Sequence, residues 1–326
     1  MMELRASHGR ERQQSWRLRA VLGAGVLAIV LGGCRAQPAR FESPQAAADS
    51  LVAALDPEFD RSALKEIFGS NADEIISSGD DVDDRENGAR FVEDYRSRHA
   101  FESNEDGSTS LVIGPEDWPF AIPLSESDGQ WYFDTDAGHD ELLNRRIGRN
   151  ELDTIQTCLA TADAQLEYAM LDPDGDGVRA YASRFLSSPG QRDGLYWPTD
   201  GTEEPSPFGD LVAGASASGY QRQAGQKQGD GVYRGYRFRI LTAQGSAASG
   251  GARDYLIDGD LIGGFAVVAW PATYANSGVM TFLVSHEGIV YEADLGRRTD
   301  RTVRRMTRFN PDARWKQLNQ TPFDLQ

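Results

Sequence analysis

From residue 43 onward the apolar positions recur at helical steps. Ala47, Leu51, Ala54 and Leu55 form one stripe, and Ser43-Pro44 ahead of them supplies an N-cap and a first helical residue of fixed φ. Leu64, Ile67 and Phe68 predict a second short helix, and Ile75 and Ile76 a third. Residues 83–99 predict a fourth, with Phe91, Val92 and Tyr95 inward. The period then changes to that of strands. Leu111-Val112-Ile113, Phe120-Ala121-Ile122-Pro123-Leu124 and Trp131-Tyr132-Phe133 are short runs, punctuated by Gly114-Pro115 and Ser127-Asp128-Gly129.

Helical spacing returns over residues 141–170, where Leu152, Ile155, Leu159, Ala162, Leu166 and Met170 give one apolar face. A short helix is expected at 180–186. An exposed loop rich in Gly, Ser, Ala and Gln is expected at 214–231. In Tyr236-Arg237-Phe238-Arg239-Ile240 apolar and basic residues alternate, so one face packs and the other is wet. Runs at 255–257, 265–270, 279–284 and 289–292 complete a β-meander, with Asp258-Gly259 and Glu287-Gly288 as hairpin turns. A last helix is expected near 301–308. The pattern predicts an α+β fold: N-terminal helices with a small antiparallel sheet, then a long helix packed on an antiparallel β-meander. The expected domains are residues 43–140 and 141–326, joined rigidly because nothing flexible separates the first sheet from the long helix.

The first 42 residues stand apart. Arg5, Arg10, Arg12, Arg17 and Arg19 precede an apolar stretch at 20–31, the length of a signal-peptide core and too short to span a bilayer. It ends in Leu31-Gly32-Gly33-Cys34, which resembles the lipobox of bacterial lipoproteins. That resemblance implies a signal peptide at 1–33, a diacylglyceryl thioether on Cys34, a tether at 34–42, and export to a membrane-anchored position. Arg35 in the following position favours the outer membrane or periplasmic face. The implied partners are the membrane, through the lipid anchor, and an envelope protein.

Charge changes the picture once this segment is set aside. The signal carries five of the 33 basic residues and two of the 50 acidic ones, leaving 28 against 48, a net of about −20. So acidic a body excludes nucleic acid as a partner, because phosphates need a basic footprint. With Cys34 lipidated, Cys158 has no partner for a disulfide, and its place beside an apolar helix face marks it as a buried, inert thiol.

Candidate chemistry is sparse. Asp172, Asp174 and Asp176 stand at the first, third and fifth positions of an EF-hand-like loop, with Gly177 sixth and Val178 offering its carbonyl seventh. Ala180 and Ser183 then occupy the ninth and twelfth positions, so the bidentate glutamate is missing. A structural calcium site and an ion-free acidic turn both remain open. After the signal the histidines are His99, His139 and His286, none at metal-ligand spacing from another. Ser285-His286-Glu287 are neighbours that point to alternate sides of a strand or turn. Glu116-Asp117 reads as a solvated turn. Arg145, Arg146 and Arg149 on the long helix suit an ion-pair network with carboxylates of the first domain. Arg297, Arg298, Arg301, Arg304, Arg305, Arg308, Arg314 and Lys316 make a basic strip in which Arg304 and Arg305 are the candidates for an anionic surface.

The stretches EDWPFAIPL, WYFDTDAG, LNRRIGRNEL, DPDGDGV, GLYWP, YRFRILTAQG and IGGFAVVAWPATYANSGVMTFLVSHEGIVYEADLG together resemble a family of exported bacterial proteins catalogued as a domain of unknown function. That likeness implies no activity, substrate or catalytic residue. The N-terminal order and the closing DGQWYFD are similar to small NTF2-like exported domains. The order from Asn150 is similar to the headgroup of type IV pilins and pseudopilins, a helix laid across a meander sheet, without the apolar stalk that polymerises. These readings favour a lipid-anchored, non-catalytic binding or assembly module. The alternatives are an envelope hydrolase using carboxylates or calcium, and a small-ligand pocket lined by Trp118, Phe120, Trp131 and Phe133.

Overall fold

The computed structural model describes residues 36–173, 175, 177–199, 205–209 and 231–318. The signal peptide, Cys34, Asp174, Asp176 and most of the 214–231 loop lie outside the described residues. All described residues fall in one compact unit, Arg35–Gln326.

Four helices open it: α1 (Pro44–Leu55), α2 (Arg61–Phe68), α3 (Ala72–Ile76) and α4 (Asp81–Ser97). Three begin on side-chain caps. Ser43 Oγ accepts from Ala46 N, Asp60 from Ser62 N and Ala63 N, and Asp80 from Val82 N and Asp83 N. Each cap satisfies backbone donors that a helix start leaves without partners. The fourth helix ends two residues before His99, which opens a strand instead.

The first sheet is antiparallel, in the order β1 (His99–Ser103), β2 (Thr109–Ile113), β4 (Leu124–Ser127), β5 (Gln130–Phe133), with β3 (Trp118–Pro119) on β2. Asp128 and Gly129, both at positive φ, turn β4 into β5. Residues 120–123 are not strand. Ile122, Leu124 and Phe133 close over α1, α2 and α3 to form the N-terminal core.

Helix α5 (Thr135–Leu171) has 37 residues, about 55 Å of helix at 1.5 Å per residue. The domain boundary expected at 140 falls inside it. The C-terminal sheet is antiparallel, in the order β14 (Lys316–Gln317), β13 (Val290–Asp294), β12 (Met280–Ser285), β11 (Ala266–Pro271), β6 (Tyr236–Leu241). Short pairs β7 (Ala243–Gln244) with β8 (Arg253–Asp254), and β9 (Leu256–Ile257) with β10 (Asp260–Leu261), stand off it. A last helix, α6 (Thr299–Arg304), is shorter than the pattern suggested.

Strand β11 is buried at every position because both faces of its sheet are covered. Register places Arg237 opposite Trp270 and Arg239 opposite Val268, on one face. There Arg239 donates to the carbonyls of Val303, Arg304 and Met306, and Trp270 Nε1 donates to Asp300, so α6 lies on this side. The face expected to be wet is therefore partly covered, and Arg239 caps the end of a helix. The opposite face meets α5, where Tyr236 Oη approaches Glu151.

Helix α5 buries only part of the expected stripe: Ile155 and Ala162 are inward and Leu159 packs against the core. Leu152, Leu166 and Met170 are exposed, at 52%, 44% and 67%. Inward are Asn150, Thr154, Ile155, Thr157, Cys158, Thr161, Ala162, Gln165 and Tyr168. The threonines make this possible. Thr154, Thr157 and Thr161 each donate to the carbonyl four residues back, at 2.7–2.8 Å, so their hydroxyls need nothing from the sheet. Gln165 reaches further and pairs both its amide groups with the backbone of Ala182. That pairing, with Tyr181 N on Leu261 O, keeps residues 180–186 out of the helix expected there.

Candidate functional site

The largest concentration of buried charge lies where α4 and α5 meet the β6 turn and the β11–β12 loop. Asp80, Asp83 and Asp84 are 4%, 1% and 7% exposed. Burial of three carboxylates side by side is costly unless each is matched, and each is. Asp80 caps α4 with one oxygen and accepts Gly235 N with the other, at 3.1 Å. Asp83 accepts from Asn87 at 2.9 Å and lies 3.4 Å from Arg234 and 3.6 Å from Arg149. Asp84 takes the amide and hydroxyl of Ser78 on one oxygen, and Arg61 at 3.3 Å on the other.

The partner turn is itself unusual. Arg234 and Gly235 both sit at positive φ, and Tyr233 and Tyr236 exchange backbone hydrogen bonds across them. A non-glycine residue in that region is strained. Its guanidinium, between Asp83 and Glu86, holds it there. Gly235 has a second reason to be glycine: a Cβ would stand 2.5 Å from the Asn150 amide.

Helix α5 reads the β11–β12 loop with three successive contacts. Arg146 donates to the carbonyls of Glu74 and Ile75 and to Asn276. Asn276 in turn donates to Ser77 O. Asn150 donates to Ser277 O, and Glu151 accepts from Val279 N and Met280 N, both at 2.9 Å. Burial pushes Arg146 below the usual guanidinium range, against the pull of Asp84. Burial likewise raises Asp153 despite Arg234 and Arg149 nearby. Tyr236 is pushed well above an ordinary phenol by burial, then by Glu151. Gly278 permits this packing, since a Cβ there would stand 2.1 Å from Tyr236 Oη. The arrangement is a joint: its carboxylates face guanidinium or amide donors from another segment of the chain.

Of the arginines expected to form an ion-pair network, Arg149 pairs with Asp83, while Arg146 enters the joint through two carbonyls and Asn276. Arg145 turns away, to Glu141, the Pro119 carbonyl and the face of Trp118. Pattern reading missed Asp80, Asp83, Asp84, Arg61 and Arg234. The one local signal was the capping aspartate at the start of α4.

The other candidates disperse. His99 stacks on Tyr95 with ring centroids 3.9 Å apart. His139 sits between Asp140 and Glu74, and the hydrogen bond it donates to Asp140 leads in raising its pKa. His286 Nε2 meets Arg253 at 2.8 Å. Cys158 is fully buried, which pushes its thiol up to about 12. Asp117 pairs with Arg98 at 3.1 Å. The four aromatics of the pocket reading divide: Phe133 is core, Trp131 is partly buried against that core, Phe120 packs edge-on against Phe91 and Phe133, and Trp118 is 58% exposed. In the acidic loop, Asp172 ends α5 in a left-handed conformation and its side chain accepts from Gly177 N. Val178 is exposed, and Asp174 and Asp176 lie outside the described residues. In the basic strip Arg304 bridges to Asp300, Arg308 to Asp254, Arg314 to Asp312 and Lys316 to Glu292, while Arg305 is exposed.

A family model described as "Protein of unknown function (DUF2950)" matches residues 38–318, and the chain belongs to that family. No curated protein and no solved structure matched the chain.

Proposed function

We propose that this family member is a lipid-anchored, non-catalytic binding or assembly module of the cell envelope. The observation that carries the reading is the joint. Asp80, Asp83 and Asp84, the buried carboxylates closest to a catalytic cluster, are taken up in welding the α4 end of the chain to the C-terminal sheet. A carboxylate that already accepts an amide or a guanidinium is poorly placed to take a proton from a substrate.

The helix laid across an antiparallel sheet supports the pilin-headgroup likeness as a matter of shape, with an acyl chain in place of the polymerising stalk. Anchoring rests on the Leu31-Gly32-Gly33-Cys34 box. Metabolic labelling with palmitate tests it. The full chain should incorporate label and Cys34→Ser should not; equal labelling of both would overturn the anchored reading.

A further inference from the structure

The strip of arginines near the C-terminus sorts into two sets. Arg304, Arg308, Arg314 and Lys316 bridge to acids of the same fold. Arg298, Arg301 and Arg305 are exposed, and bond no acid among the described residues. They follow one another at three- and four-residue steps through the turn Gly296–Arg298 and α6, so they share one side of that element. Thr299 and Val303, at 1% and 0% exposure, hold the other side against the sheet. Arg297 is exposed beside them.

We propose that this face, Arg298, Arg301 and Arg305, docks on the anionic phospholipid surface of a membrane. Guanidinium groups present a planar fork that matches phosphate oxygens. The face lacks what a protein interface would need. The large exposed apolar side chains are Trp118, Leu152, Leu166, Met170, Val178, Leu256, Ile257 and Ile262, and none lies on this element. Without an apolar anchor a protein partner has no centre to bury. A headgroup layer needs none. The net negative charge of the whole body does not oppose docking strongly, because fields from distant exposed acids are screened within about 8–10 Å at physiological salt. The inference goes beyond the anchored reading and stands without the acyl chain.

The test uses residues Arg35–Gln326, which form a compact unit of their own, sedimented with phosphatidylcholine vesicles with and without phosphatidylglycerol. Binding should require phosphatidylglycerol and weaken as salt rises. One arginine at the surface is worth roughly a fivefold change in partitioning. Replacing Arg298, Arg301 and Arg305 together with Gln should therefore lower binding on the order of a hundredfold. Arg314→Gln, which removes an arginine already bridged to Asp312, should change it little. Equal binding by the triple variant, an equal loss in Arg314→Gln, or displacement by inorganic phosphate at matched phosphorus would each overturn the proposal. So would a dimer in sedimentation velocity that the triple variant dissolves, since the face would then meet a second copy.

Discussion

Arg234 stands 3.4 Å from Asp83 and 3.3 Å from Glu86, with its side chain 21% exposed. Arg301 stands on the outer side of α6, exposed, with no acid bonded to it among the described residues. Both carry the same guanidinium and come from an acidic chain with carboxylates to spare. The difference lies in where the acids are. Asp80, Asp83 and Asp84 are held by the start of α4 in a place water does not reach, so the arginines that meet them are fixed in position. The acids near α6 are engaged elsewhere, Asp300 by Arg304 and Trp270 and Asp294 by Gly296 N and Tyr274 Oη, so its outer arginines stay in water. Buried pairs of the first kind specify how two parts of a chain meet, and their removal is costly. Charges of the second kind contribute little to stability and remain available to something outside.

The strongest way to break this contrast is Asp83→Ala. It removes the buried carboxylate that Arg234 and the half-exposed Arg149 share, leaving Arg234 with Glu86, and should destabilise the fold by about 2 kcal/mol, read from urea unfolding. A loss below about 1 kcal/mol would mean the joint is hydrated and the contrast false. Next comes Gly235→Ala. It places a methyl group 2.5 Å from the Asn150 amide in a left-handed turn, and should cost about 2 kcal/mol by the same measurement.

His139 offers an intermediate case, a surface pairing of α5 with α3 through Glu74. Its pKa is raised above the usual 6.5, first by the Asp140 hydrogen bond. The charged form is therefore favoured in the folded state. Its contribution is fully present below the unfolded pKa and is lost as pH rises through the folded one. Melting temperature should fall from pH 6 to pH 8 more in the native protein than in His139→Gln; parallel curves would remove the effect. The smallest change is expected for the triple Gln variant of Arg298, Arg301 and Arg305, whose stability should stay within about 0.5 kcal/mol of the native protein. A larger loss would show these arginines to be structural after all, and would merge the two classes.

Local chemistry was legible along the chain. Ser43-Pro44 starts α1 because a cap is made within one turn. Asp128-Gly129 and Asp258-Gly259 turn the chain because these pairs tolerate positive φ. The apolar runs at 265–270 and 279–284 mark the strands of the meander, β11 and β12. The joint was not legible, because Asp83 meets Arg149 and Arg234 from 66 and 151 residues away, and nothing in the run of acids at 80–86 distinguishes a buried anchor from a solvated helix start.

The sequence by itself determined most of the elements, their order and the α+β class, since caps, turns and periodicity act over a few residues; the helix expected at 180–186 is an exception, because its backbone is taken by Gln165 and Leu261. Only the tertiary structure decided which face of α5 is buried. Of the expected apolar face, Ile155, Leu159 and Ala162 meet the core while Leu152, Leu166 and Met170 do not, and the rest of the buried face carries threonines bonded to their own helix and a glutamine bonded to Ala182. A side chain's burial depends on whether its polar atoms are satisfied at the contact as well as on how apolar it is, and that is settled by partners from distant parts of the chain.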